Sequence, residues 1–176
     1  ERAPRPLMLA LLGDLPVIAR AIAQYSPVLI EADLVVVLKD ADTLMARAIA
    51  SRSGIGRNLI ATLLDRPERE VVLATLARKD IAPSLKSFEA LCRRAATDPG
   101  LRGALLKRAD LPATIRLDLV AQVRTALAGT RIVKGAIAPR RLDRLMHNGA
   151  DNAATAIAER ELAAGGHSVL DLLNER

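Results

Sequence analysis

The sequence predicts an all-α fold, an α-solenoid of stacked helical repeats followed by a longer C-terminal helix. Three observations predict it. Ala and Leu, both strong helix formers, dominate a chain of 176 residues that has one Tyr, one Phe and no Trp. Gly and Pro punctuate that chain at short spacing. A small-residue helix that ends in a basic residue, a Ser or Asp and a turn recurs along it, most clearly in PGLRGALLKRADLP at residues 99–112.

The elements follow in order. Residues 7–12, LMLALL, form a short apolar helix closed by Gly13 and Asp14. Pro16 suits the first turn of a second helix, where its missing amide hydrogen would be unpaired anyway. Val17, Ile18, Ala21, Ile22 and Tyr25 give that helix an apolar face, and Ser26 and Pro27 break it. A third helix runs from Glu31 to Lys39 around Leu34, Val35 and Leu38. The run Val35–Val37 has strand character, but its helical surroundings outweigh three residues. Further helices are expected at Thr43–Arg52, Arg57–Leu64, Glu68–Lys79, Ser84–Ala96, Gly100–Arg108 and Ala113–Leu127. Gly54, Gly56, Pro67, Pro83, Pro99 and Pro112 mark the breaks between them.

Aligning AIAQYSP (21–27), AIASRSG (48–54), TLARKDI (75–81) and LLKRADL (105–111) puts Ile22, Ile49, Leu76 and Leu106 in register, at intervals of 27, 27 and 30. Ser26, Ser53, Asp80 and Asp110 keep the same intervals. A second helix follows in each unit, with anchors at Leu34, at Leu59 and Ile60, at Phe88 and Leu91, and at Ile115 and Leu119. Small residues such as Ala19, Ala21, Ala23, Ala46, Ala48 and Ala50 allow helices of neighbouring units to approach closely. Ser or Asp in the break can accept hydrogen bonds from turn amides. Arg52, Arg78 and Arg108 complement the carbonyl ends of helices. Such pairs cannot bury their apolar faces singly, so they stack.

The order SPVLIEADL (26–34), ARAIASRSGI (46–55) and DPGLRGALLKRADLP (98–112) resembles a bacterial family known as domain of unknown function 2336. The resemblance covers roughly residues 16–123 and implies HEAT-like or leucine-rich-variant-like repeats. It brings no catalytic residues. The sequence departs from it where Gly54 and Gly56 replace a proline-like break, which implies a looser turn. Downstream, residues 129–138 read as a linker. An amphipathic helix then runs from Pro139 to about Ala164, and Ser168 caps a last short helix through Leu173. The expected division is a repeat domain over 1–130 and a helical cap or connection over 131–176. The start at Glu1 and the VLDLL run close to Arg176 are those expected of a piece of a longer protein.

Charge is unevenly placed. Residues 1–42 hold 4 basic and 6 acidic groups, residues 99–144 hold 10 and 3, and residues 145–176 hold 2 and 5. The basic middle can attract an anionic partner. The residues placed to contact it are Arg93, Arg94, Arg102, Lys107, Arg108, Arg131, Lys134, Arg140 and Arg141, with Arg116 and Arg124 beside them. Chemistry is harder to find. The lone Cys92 excludes an intrachain disulfide and reads as a buried structural thiol. His147 and His167 lie in no metal-ligand spacing, and no GxSxG, Walker or GxGxxG pattern occurs. No cofactor, metal or small-molecule ligand is expected, and no apolar run reaches the roughly 20 residues that span a bilayer.

These features predict a non-catalytic, cytoplasmic scaffold that binds an unidentified protein. Sequence-nonspecific binding of nucleic-acid backbone through residues 93–144 is the alternative. A base-processing enzyme ranks third, because Tyr25 and Phe88, the only aromatics for stacking on bases, are expected to pack within helices.

Overall fold

In the computed structural model, which describes residues 4–130 and 137–163, the described residues are helical and contain no strand. The helices are α1 (Arg5–Leu11), α2 (Pro16–Tyr25), α3 (Glu31–Asp40), α4 (Thr43–Ala50), α5 (Arg57–Asp65), α6 (Arg69–Leu76), α7 (Leu85–Ala95), α8 (Pro99–Leu106), α9 (Ala113–Gly129) and α10 (Pro139–Ala163). The expected last helix near residues 168–173, together with His167, lies outside the described residues.

Local chemistry accounts for most of the boundaries. Pro16 and Pro99 open α2 and α8. The Asp42 carboxylate accepts the Met45 amide at 2.7 Å at the start of α4, and Asp98 accepts that of Leu101 at 3.0 Å at the start of α8. Ser84 does the same for Ser87 ahead of α7 at 3.1 Å. The valine run 35–37 is helical, as its surroundings predict.

Two compact units divide the chain, Glu1–Leu91 and Cys92–Arg176, with the division inside α7. In the first unit α2 packs on α4, α4 on α6, and α3 on α5. Alternate helices therefore lie side by side. The core between them holds Ala23, Leu34, Leu38, Ile49, Leu59, Leu63 and Val71, with Met8 of α1 and Leu12 just after it packed against it. Small residues buried at Ala19, Ala23, Ala46 and Ala50 let these short helices approach.

In the second unit α9 and α10 pack together. Arg116, near the start of α9, feels the charges of Arg160 and Glu161 near the end of α10, so the two run antiparallel. Buried residues of α9 stop at Leu119, and none of α10 is buried.

The expected anchors Ile49, Leu76, Leu34, Leu59, Ile60, Phe88, Leu91, Ile115 and Leu119 are buried. Leu106 is a correction, because it is 38% exposed and its neighbour Leu105 is fully buried. Leu105 lies one turn beyond Leu101, the other buried leucine of α8, and residue 106 is rotated away from that face. Tyr25 is a second correction, being 73% exposed rather than packed.

Candidate functional site

The dominant polar feature is a set of arginines turned inward. In the first unit, Arg52 follows α4 and donates to the backbone carbonyls of Ala23, Ser26 and Leu29 around the end of α2. Arg78 follows α6 and donates to those of Ala50 and Arg52 at the end of α4. Arg66 follows α5 and donates to those of Leu38 and Ala41 at the end of α3. Each guanidinium thus satisfies carbonyls that a helix end leaves without amide partners, and it does so for the preceding equivalent helix rather than its own.

The acidic counterpart runs the same way. The Glu31 carboxylate, at the start of α3, accepts the Leu59 amide at 2.8 Å at the start of α5. Gly56 makes room for it, since a Cβ there would come within 2.3 Å of a Glu31 oxygen. Gly54 adopts φ +65°, a left-handed conformation that favours glycine. The turn expected to be loose is therefore one in which both glycines are required by a specific contact or conformation. Arg5 and Asp33 form another ion pair 28 residues apart, at 2.6 Å.

Sequence reasoning assigned Arg78 and Asp80 separate tasks, and it missed Arg66 and Glu68. In the structure they are pairs, Arg66 with Glu68 and Arg78 with Asp80 in the first unit, and Arg108 with Asp110 in the second. The signal was an arginine followed two residues later by an acid. Each acid holds the guanidinium fork in place beside the carbonyls. Asp80 and Asp110 thus serve as ion-pair partners of these arginines, and Ser26 accepts the Val28 amide at 3.4 Å. The guanidinium hydrogen bonds hold the Glu68, Asp80 and Asp33 carboxyls below the usual carboxylate range. Arg52 has no such acid, and burial lowers its pKa.

The expected anion-contact residues divide into three groups. Arg102 and Arg108 are buried, with Arg102 donating to the carbonyls of Ala95 and Ala96 at 2.9 and 3.0 Å and Arg108 gripping Asp110. Arg116 is also buried and donates to the carbonyls of Arg108 and Leu111. Its pKa is lowered, chiefly by burial. Arg93, Lys107, Arg140 and Arg141 are exposed, while Arg94 is half-buried. Arg131 and Lys134 lie outside the described residues. The exposed cations are carried by α7, by the turn after α8 and by the start of α10.

Gln122 of α9 donates to the Cys92 carbonyl at 3.0 Å and to its sulfur at 3.3 Å. Burial pushes the Cys92 thiol up, which disfavours the nucleophilic thiolate. Among the described residues no group of three or more His, Cys, Asp and Glu is placed to hold a metal ion. No described helix is long and apolar enough to cross a membrane.

A family model described as an uncharacterised protein conserved in bacteria, DUF2336, matches residues 18–176. The chain belongs to the DUF2336 family. That match includes α10, beyond the roughly 16–123 span that carried the motif resemblance, so the long helix is part of the family's pattern. No curated protein and no solved structure matches the chain.

Proposed function

We propose that this DUF2336 chain is a non-catalytic scaffold, built from HEAT-like helical repeats of the α-solenoid kind, that binds a protein partner in the cytoplasm. One observation carries the reading. In the first unit the side chains of Arg5, Glu31, Arg52, Arg66 and Arg78 all reach partners 23–29 residues away, which is one repeat. Contacts at such similar spacings are what stacking of equivalent positions in successive helix pairs would produce, and they support the reading of a stacked array. Arrays of this kind present extended surfaces without a reaction centre.

The inward arginines support a protein partner over nucleic acid, since Arg102, Arg108 and Arg116 are already engaged with carbonyls or Asp110. The exposed pair Arg140 and Arg141 favours the second reading, contact with nucleic-acid backbone. Cross-linking of the full-length protein in cells, followed by mass spectrometry, tests the choice. A reproducible protein partner linked through the described helices is expected. Absence of such a partner, with duplex DNA held at about 0.15 M salt and released by Arg140→Glu with Arg141→Glu, reverses the ranking.

A further inference from the structure

The first helix is held differently from those that follow it. Each of α2 to α6 buries at least two side chains, whereas α1 buries none. It has seven residues, fewer than the roughly 12–15 at which an isolated helix is even marginal in water. It therefore persists through what it touches. Arg5, Met8 and Leu12, spaced i, i+3 and i+7 and so on one side of the helix, anchor it. Arg5 donates through Nε and Nη2 to the two carboxylate oxygens of Asp33, at 3.0 and 2.6 Å. Met8 and Leu12 pack against the apolar core of the unit.

The ground that α1 occupies is built for a helix of that pattern. Asp33 lies in the first turn of α3, and its side chain is only 10% exposed. It also accepts the Ile30 amide at 3.1 Å, so α3 itself holds the carboxylate in place for an incoming cation. Both oxygens meet one guanidinium, the forked contact that arginine makes and lysine does not. Beside it the core takes two aliphatic side chains, one and two turns further along the docked helix. The family match begins at residue 18, within α2, so Asp33 and the core belong to the shared pattern and α1 lies outside it.

We propose that α1 is a clasp seated in a helix-docking site, and that the same site takes an amphipathic helix of a partner protein. The partner helix carries an arginine followed at i+3 and i+7 by aliphatic side chains. This proposal rests on the scaffold reading and names the surface and the kind of partner for it. Helices that lie in grooves are recognised through anchors at such spacings, and α1 displays the set that this site accepts. Asp33 excludes a helix with an acid at the first anchor, and it is a poor neighbour for a phosphate backbone. A clasp with no buried residue belongs to the part of a fold that opens most readily, so a partner can replace it without unfolding α2 to α6.

The probe is a fluorescently labelled peptide of residues 1–14, titrated by anisotropy with the full chain. The unaltered chain should bind it poorly, because the tethered α1 competes at an effective concentration on the order of mM. Met8→Asp with Leu12→Asp unseats α1 and should tighten peptide binding by about tenfold or more, with cooperative unfolding retained. Arg5→Glu alone, a milder change at an exposed residue, should give a smaller gain in the same direction. Asp33→Asn, which keeps an oxygen for the Ile30 amide, should remove most of the gain, and so should Arg5→Glu placed in the peptide. No gain in either unseated chain, or a gain indifferent to Asp33→Asn, overturns the proposal. A reversible dimer of the unaltered chain that is lost with Met8→Asp and Leu12→Asp would put α1 of a second copy in the site, and also overturns it. A protein partner cross-linked only away from α2 and α3 overturns it and leaves the scaffold reading standing, whereas absence of any protein partner removes both.

Discussion

The two units handle helix ends differently. In the first, Arg52, Arg66 and Arg78 reach 23–29 residues back, so each fastens carbonyls at the end of a helix two before the one it follows. In the second, Arg102 and Arg116 reach 6–7 and 5–10 residues respectively to carbonyls within a turn or an adjacent helix end. The first unit buries apolar side chains from α2 through α6, whereas α10 has 25 residues and buries none. Burial and carbonyl satisfaction from a neighbouring pair make each helix of the first unit dependent on the next. A helix that packs along a half-buried stripe has less such dependence and should open more readily than the helices of the first unit.

The largest expected effect sharpens this contrast at the core. Ile49→Ala or Leu76→Ala should destabilise the protein by about 2 to 5 kcal/mol in denaturant titrations, the range for buried large-to-small changes. Leu145→Ala, on the half-exposed side of α10, should cost less than about 0.5 kcal/mol. Equal losses at the two sites would remove the distinction between the units.

Next comes the fastening itself. Arg52→Ala strands the carbonyls of Ala23, Ser26 and Leu29 and should cost about 1 to 3 kcal/mol, while Arg140→Ala should be nearly neutral. Gly56→Ala should displace Glu31 from the start of α5, and the lost cap should cost about 1 kcal/mol. Glu31→Ala should then add little to it, because both changes remove one contact; additive losses would show that Gly56 acts otherwise.

The smallest effect is on pH. Asp33, Glu68 and Asp80 have folded pKa values below their unfolded ones, so their contribution is complete above the unfolded carboxylate range and is lost as pH falls through the folded values. Stability should hold above about pH 5 and decline below about pH 4. Asp80→Asn should make that decline shallower, and an unchanged acid slope would show that its pair with Arg78 is not linked to folding.

The helical class, most boundaries and most core anchors were legible in the residues, because spacing and punctuation act locally. Pro16, Pro99, Asp42 and Asp98 determine where helices begin whatever surrounds them. Ile49 and Leu59 belong to apolar stripes that have to be buried somewhere. The arginines were legible only as charge. A count of basic residues made Arg93 to Arg141 a candidate anion surface, yet Arg102, Arg108 and Arg116 look the same in sequence as Arg140 and Arg141. What separates them is whether an open helix end lies within reach of the side chain, a distance set by packing.

By itself the sequence determined an all-helical chain, since helix propensity, apolar period and turn residues are properties of short segments. Only the tertiary structure decided the direction in which each guanidinium points, the role of Gly56 as space for Glu31, and the exposure of Tyr25 in the register where α4 is followed by Arg52. Each of those depends on residues about one repeat away, and no local rule carries the geometry that brings residue 31 to residue 59 or residue 52 to residue 23.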